Sequence, residues 1–357
     1  MTNECGDSIR QLCKDFICGN SPRYIFGRTP YAADIARHIK PDGFIDDFTD
    51  DKLFLDVPVV RLSDVPKNAI VVSAIVDGRP VTADRVIKER GLESIDYFTF
   101  KNNSGLQLKE PGLVASSKFR LNYLHFKEKY DHIYAILADS LSQETFSRLV
   151  KFRLNENITE MKDFTFRPED SYFEPFIDLN KENKIFVDVG SFDGETTLEF
   201  IRCFPDYSGV HVFEPEPKQM SVIREKLKGV SNIHYHECGA SNCEDILKFT
   251  SSGSWSHLDK DGDIEVKINT IDNLIKEKVS FIKMDIEGHE YAALEGARQH
   301  ILNDHPVLAI CAYHLVDDFW KLPELVFSYR SDYKLYMRHY TEGMLETVYY
   351  FIPHKHV

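Results

Sequence analysis

The run Phe186-Val-Asp-Val-Gly-Ser-Phe-Asp-Gly-Glu-Thr196 constrains this chain more than any other segment. It opens on Ile185-Phe-Val-Asp-Val189, a short and mostly apolar stretch that reads as a buried strand. Gly190 and Gly194 follow at once, and residues 194–204 then take helical spacing. Glycines let the backbone turn tightly and approach a ligand, while the next helix offers free N–H groups at its start. Strand, glycine loop and helix together open a doubly wound sheet, which takes its ligand beyond the carboxyl ends of the strands. Asp188 and Asp193 make this loop acidic, so it opposes a pyrophosphate and suits a cofactor with a sulfonium and an amino group. Phe192 stands where a full G-x-G-x-G would have its middle glycine.

The alternation continues to the end of the chain. Strands are predicted at 210–213, 233–236, 246–250, 264–268, 280–284 and 307–311, with helices at 217–228 and 291–301. Two last strands, 334–338 and 346–352, flank the turn Thr341-Glu-Gly343. The fold class expected is α/β: a Rossmann-like seven-stranded methyltransferase sheet with an antiparallel C-terminal hairpin. Phe213-Glu-Pro215 ends the second strand, about 20 residues after the glycine loop, where such folds place an acid on ribose hydroxyls. Glu214 is the candidate clamp, against the plain alternative of a solvated strand-end acid. Phe281-Ile-Lys-Met-Asp-Ile-Glu-Gly-His-Glu290 closes another buried strand with a polar cluster facing the same crevice. Helix-start preference accounts for Glu287 and Glu290, but not for Lys283 or Asp285 inside the strand.

Residues 1–105 read as a smaller Rossmann-like α/β domain, with strands at 23–27, 43–46, 58–60 and 69–75 and a helix at 30–39. Residues 101–114 have loop composition, and 119–154 carry one or two connecting helices, so 106–162 is expected to be a helical linker region. The catalytic domain then occupies 163–357. At 357 residues the chain has room for two domains, and 43% hydrophobic with 28% charged residues is ordinary globular composition.

A net charge of −14 opposes nucleic acid as the main partner, because phosphate binding needs clustered cations. No apolar run approaches a membrane span, and the N-terminus lacks a basic region followed by an apolar core. The seven cysteines, Cys5, Cys13, Cys18, Cys203, Cys238, Cys243 and Cys311, are scattered and odd in number, as expected of reduced thiols in a cytoplasmic protein. On spacing alone Cys238 and Cys243 either bridge or remain two buried thiols.

Together, Val187 to Thr197, Phe213-Glu-Pro215, Ile271-Asp272, Phe281 to Glu290, Ala293-Leu-Glu-Gly-Ala297 and Pro306 to His314 resemble the FkbM family of methyltransferases, from about residue 184 to the C-terminus. Lys283-Met-Asp-Ile-Glu-Gly288 is the most specific part of the likeness. The resemblance implies S-adenosyl-L-methionine as cofactor and O-methylation of a sugar, glycan precursor or secondary metabolite. It also implies cofactor contacts from Asp188, Gly190, Ser191, Asp193, Gly194, Thr196, Glu214, Pro215, Ser241 and Asp285. The family loop usually has Ala and Asn where this chain has Ser191 and Phe192, which removes a polar contact at Phe192 while leaving the backbone contacts. More weakly, the N-terminal unit resembles the small Rossmann-like domain of nucleotide-sugar-modifying enzymes. There Gly27 is followed by Arg-Thr-Pro, which breaks the dinucleotide fingerprint, so docking or homodimerisation is expected.

A sugar hydroxyl is a poor nucleophile at neutral pH, so a general base is expected beside the methyl group. His314, Asp285 and His339 are the candidates, with neutral His314 preferred because histidine titrates near neutrality. His314 equally reads as a residue before a helix start, and His339 beside Arg338 and Tyr340 as a binder of an anionic or sugar group. Mg²⁺ held by Asp285, Glu287 and His314 or His339 is compatible with the spacing but not required by it. Trp255-Ser-His257 is either a mobile lid or an ordinary exposed loop. A non-catalytic scaffold that binds a cofactor or nucleotide sugar is the rival function, and an NAD-linked sugar enzyme is opposed by the acidic loop.

Overall fold

A computed structural model describes residues 2–179, 184–250, 257–258 and 264–354. The apolar runs of the first hundred residues form one sheet: β1 (Arg23–Phe26), β2 (Gly43–Ile45), β3 (Leu53–Phe54), β4 (Val57–Val60), β5 (Ile70–Ser73) and β6 (Glu93–Asp96). The order is β3-β4-β2-β1-β5-β6, parallel except where β3 meets β4. Helix Pro30–His38 starts where expected, because Thr29 accepts the Ala32 amide at 3.1 Å and Pro30 presets the first turn. Ile45, Val71, Ile87 and Leu92 are buried together in the core of this sheet.

Several elements of this N-terminal stretch lie outside the sequence reading, among them β3 and helix Pro80–Glu89. Helix Thr2–Cys18 precedes β1, strand β6 closes the sheet, and helix Tyr97–Ser104 covers the start of the stretch read as a linker. That helix is capped by Asp96, which accepts the Thr99 amide, and stopped by left-handed Gly105. Residues 116–155 form three helices, Ser116–His125, Lys127–Ile136 and Ser140–Asn155, where one or two were expected.

The second half forms β7 (Ile185–Val189), β8 (Gly209–Phe213) and β9 (Ile233–His236), then a separate four-stranded sheet. That smaller sheet comprises β10 (Gly239–Ala240), β11 (Asp245–Thr250), β12 (His257–Leu258) and β13 (Ile264–Asn269), ordered β10-β13-β11-β12. The chain then completes the main sheet with β14 (Phe281–Met284), β15 (Val307–Cys311), β16 (Tyr333–His339) and β17 (Thr347–Pro353). Its order is β16-β17-β15-β14-β7-β8-β9, parallel through β15 and antiparallel at the β16–β17 hairpin. This is the seven-stranded sheet expected. Strands β7, β8, β14 and β15 are buried throughout, which is why they read as apolar runs rather than as alternation. The predicted helix 291–301 is two, Glu290–Gly296 and Arg298–Asp304.

Two compact units emerge, each discontinuous in sequence. One comprises Met1–Leu121, Ser147–Pro168 and Tyr340–Leu345, and the other Asn122–Phe146, Glu169–His339 and Glu346–Val357. Within the first, helix Pro80–Glu89 has no side-chain cap from Arg79. Its free N-terminal donors go instead to Glu342, which accepts the Thr82 amide at 2.6 Å and hydroxyl at 2.5 Å. Cys13, Cys18, Cys203, Cys238, Cys243 and Cys311 are free thiols, with Cys238 buried and Cys243 exposed. Among the described residues no helix is long and apolar enough to cross a membrane.

Candidate active site

Strand order in the main sheet turns at β7: β8 and β9 extend to one side, β14 and β15 to the other. The carboxyl ends of β7 and β14 therefore flank the crevice where open α/β sheets bind ligands. Gly190 leaves β7 at φ +78°, its amide donating to the Phe213 carbonyl at 3.0 Å. A Cβ there would lie 1.9 Å from the Asp285 carbonyl oxygen, so both space and backbone angle demand glycine. Phe192, in the place of the missing glycine, takes the left-handed backbone a glycine would favour, at φ +52°, with its ring half exposed. Gly194, at φ +83°, opens helix Glu195–Cys203.

Beneath this loop lies a buried ion pair. Asp188 of β7 and Lys283 of β14 are register neighbours, with 3.3 Å between Lys283 Nζ and Asp188 Oδ1. The other Asp188 oxygen accepts the hydroxyls of Ser191 and, at 2.7 Å, Thr197. Lys283 Nζ donates to the Gly190 carbonyl at 2.6 Å. Burial works against its charge, but Asp188 and Asp285 hold Lys283 protonated, above its ordinary range. Asp188 and Ser191 thus spend their side chains on the loop itself. Thr197, not the half-buried Thr196, is the residue that reaches Asp188.

Glu214 follows β8 directly and is buried. Its Oε2 accepts the Phe192 amide at 3.2 Å and its Oε1 the Glu216 amide at 2.9 Å. Burial pushes its carboxyl up to about 7, despite those two amides. Each oxygen keeps a lone pair for a ligand hydroxyl. Pro215 is half-buried beside it. Asp193 caps the helix start by accepting the Glu195 amide and pairs with Lys226 at 2.6 Å. Burial opposes its charge, but Lys226 prevails and holds its carboxyl below the usual range. Ser241 follows β10, its amide on the Asn269 carbonyl and its own carbonyl against Gly296, where a Cβ would come within 1.9 Å.

Asp285 and His314 meet at the carboxyl ends of β14 and β15. Asp285 Oδ2 accepts the Tyr172 hydroxyl at 2.9 Å, and Oδ1 the Tyr313 hydroxyl at 3.3 Å. His314 Nδ1 lies 2.9 Å from Glu290 Oε1, and its Nε2 lies 3.4 Å from Asp285 Oδ1 and 3.6 Å from Glu287 Oε2. Burial works against a charged ring here, yet Glu290, Asp285 and Glu287 push His314 up to about 10. The expectation of a neutral His314 does not match these surroundings: an imidazolium has no lone pair with which to take a proton. Asp285 itself is held ionised below its usual range, burial being outweighed by Lys283 and His314. His339 Nδ1 lies 2.9 Å from the Thr347 hydroxyl across the hairpin. Arg338 beside it is engaged by Asp139 at 2.7 Å.

Three groups in the cluster carried no signal in the sequence. Tyr172, in an irregular segment at φ +75°, also lies 3.3 Å from Cys311 Sγ. Tyr313 lies two residues past β15, and its bond to Asp285 depends on where that strand ends. Glu346, the residue before the hairpin's second strand, is pushed up to about 7 by burial and by Asp285. Asp285, Glu290 and His314 each offer a ligand atom within 4.8 Å of the others. Of the segment 255–257, Trp255 and Ser256 lie outside the described residues.

Residues 188–345 match the family model of the methyltransferase FkbM domain. Over nearly its whole length the chain also shares the fold of methyltransferase FkbM from Methylobacillus flagellatus KT. That match has a TM-score of 0.72 and 21% identity over 97% of this chain and 98% of that one. Two further matches are partial. Precorrin-6y C5,15-methyltransferase of Geobacter metallireducens GS-15 gives TM-score 0.31 and 16% identity over 47% of this chain and 78% of that one. Aeropyrum pernix fibrillarin with natively bound S-adenosyl-L-methionine gives 0.33 and 10%, over 50% and 70%. No curated protein matches.

Proposed function

We propose that this chain, a methyltransferase with its FkbM domain at residues 188–345, transfers a methyl group from S-adenosyl-L-methionine to a hydroxyl of a sugar, glycan precursor or similar small molecule. The observation that carries the reading is Glu214: a buried carboxylate with spare lone pairs, one strand over from a glycine loop at the turn in strand order. Glu214 would accept the ribose hydroxyls, and the Gly190 to Gly194 backbone would approach the rest of the cofactor. When bound, S-adenosyl-L-methionine supplies an electrophilic methyl carbon on a sulfonium. Asp285, Glu287 and Glu290 make the crevice acidic, which suits a cation of that kind.

Asp285, fixed by Tyr172, Tyr313 and protonated His314, would orient the acceptor hydroxyl for in-line attack. The proton would pass to Glu346, which interacts with both Asp285 and Tyr313 and whose affinity, at about 7, matches neutral pH. His314 thereby becomes a positioning group. Activity is then present above about pH 7 and lost as pH falls through it, because a protonated Glu346 accepts nothing. Glu346→Gln should lower kcat about 10²–10⁴-fold and leave S-adenosylhomocysteine affinity in place. A methyl-transfer screen over sugars, nucleotide sugars and glycolipid precursors tests the acceptor class. A folded chain that binds no S-adenosylhomocysteine would sink the whole reading.

The grouping of Asp285, Glu290 and His314 favours a second version, in which a divalent cation replaces the His314 proton and polarises the hydroxyl. EDTA decides between them: turnover that survives chelation rejects the cation, and turnover restored by Mg²⁺ rejects Glu346 as the main activator.

A further inference from the structure

On the outer strands of the main sheet, the parallel pairing of β8 with β9 places His211 beside His234 and Phe213 beside His236. The rings stack, His211 on His234 at 4.6 Å and His211 on His236 at 5.2 Å, each at 16°. A strand interior is a costly place for imidazoles, since each must satisfy two ring nitrogens. His211 is 3% exposed, and only its Nδ1 is satisfied, 3.0 Å from His236 Nε2. Its Nε2 is buried without a hydrogen-bond partner and lies 3.8 Å from Glu277 Oε1, beyond hydrogen-bond reach.

We infer that His211, His234 and Glu277 form a site for a zinc-class divalent cation, distinct from the methyltransferase crevice. Each of the three offers a ligand atom within 4.8 Å of the other two. Tetrahedral zinc, with bonds of about 2.0–2.2 Å, needs its donors roughly 3.3 Å apart. His234 and Glu277 are both exposed, so their rotamers can close that gap while the buried His211 stays fixed. When His211 Nδ1 donates to His236, the lone pair is left on Nε2, on the side of Glu277. That is the tautomer a ligating histidine takes when a second residue orients it. Burial and the two neighbouring histidines also pull His211 down to about 4, so the ring is neutral at pH 7 as a metal ligand must be. Two imidazoles and one carboxylate suit zinc over magnesium or calcium, and leave a fourth position for water. Because Glu277 lies in the loop before β14, the cation clamps that loop to the outer strands β8 and β9.

Titration of the chelator-treated full chain with Zn²⁺, followed by calorimetry and thermal melting, tests this. The expectation is one Zn²⁺ bound per chain at this site, a rise in Tm with Zn²⁺, and a tetrahedral absorption spectrum when Co²⁺ is used instead. His234→Ala and Glu277→Gln, both at exposed positions, should each weaken binding about tenfold or more, and His236→Ala about 10–100-fold through the lost orienting bond. Binding that is absent, or unchanged in His234→Ala and Glu277→Gln, overturns the assignment. So does binding abolished by His314→Gln alone, which would move the cation to the Asp285 cluster.

Discussion

The two parallel sheets of this chain answer the same local geometry in opposite ways. In the N-terminal sheet, Gly27 leaves β1 at φ +95° and donates to the Ile45 carbonyl of β2 at 2.9 Å. In the C-terminal sheet, Gly190 leaves β7 at φ +78° and donates to the Phe213 carbonyl of β8 at 3.0 Å. An acid follows the second strand in each, Asp46 in one and Glu214 in the other. Asp46 is neutralised from within: Arg28, the residue after Gly27, sits 2.8 Å from it and also holds Asp51. Glu214 is held by two backbone amides instead. Two residues before the glycine the contrast repeats. Ile25 pairs in register with Val72, and Asp188 with Lys283. An apolar core pair is the cheaper solution, since buried ion pairs recover little beyond their desolvation cost. The N-terminal sheet therefore fills this position with an apolar pair. In the C-terminal sheet the same position is charged, and its side chains bond the glycine loop.

The sharpest way to break the comparison is at the buried pair. Lys283→Met leaves the buried Asp188 carboxyl without its cation, and should cost about 3–5 kcal/mol of stability in chemical denaturation. Adding Asp188→Leu, which imitates the Ile25–Val72 pair, should recover much of that loss while methyl transfer stays absent. A double variant that is no more stable than Lys283→Met alone would show that the pair is not what separates the two sheets.

The glycines come next. Gly190→Ala meets the rigid Asp285 carbonyl at 1.9 Å and should cost about 2–4 kcal/mol as well as cofactor affinity. Gly27→Ala meets only the tip of Ile75, at 2.6 Å, so its cost should be nearer 1–2 kcal/mol, mostly backbone strain. Equal losses in both variants would erase the distinction. The smallest pair concerns the acids. Glu214→Ala should weaken S-adenosylhomocysteine binding by about 1–3 kcal/mol. Arg28→Ala, at a partly exposed ion pair, should change stability little and leave that affinity unaltered. Calorimetry on both variants checks the two together.

Much of this was legible in the sequence because burial on both faces writes itself as apolar runs, as in Ile185–Val189 and Val307–Cys311. The glycine loop and Glu214 were legible for a related reason, since spacing along a strand–loop–helix unit is fixed by the fold. Strand β6 was not, because Glu-Ser-Ile-Asp buries only its two central residues and then runs straight into a helix. Helix Tyr97–Ser104 ends in Lys-Asn-Asn-Ser, a composition that also describes a loop. The protonation of His314 was hidden for a deeper reason. It depends on three carboxylates gathered from the 285–290 turn around one ring, and spacing does not report the distance between side chains that meet in space. Thr196 and Thr197 differ by one step of a helix, and only the fold decides which of them turns toward Asp188.

The contact between Thr82 and Glu342 has a consequence for how the protein is made. These partners are 260 residues apart in a chain that emerges from the ribosome N-terminus first. At about 5–20 residues per second, helix Pro80–Glu89 is out roughly 10–50 s before the carboxylate that satisfies its first turn. During that interval its leading amides face water or whatever else binds them. The N-terminal unit is thus begun first and finished almost last. A nascent chain halted between residues 168 and 340 carries that unit's complete sheet but lacks its final segment, Tyr340–Leu345.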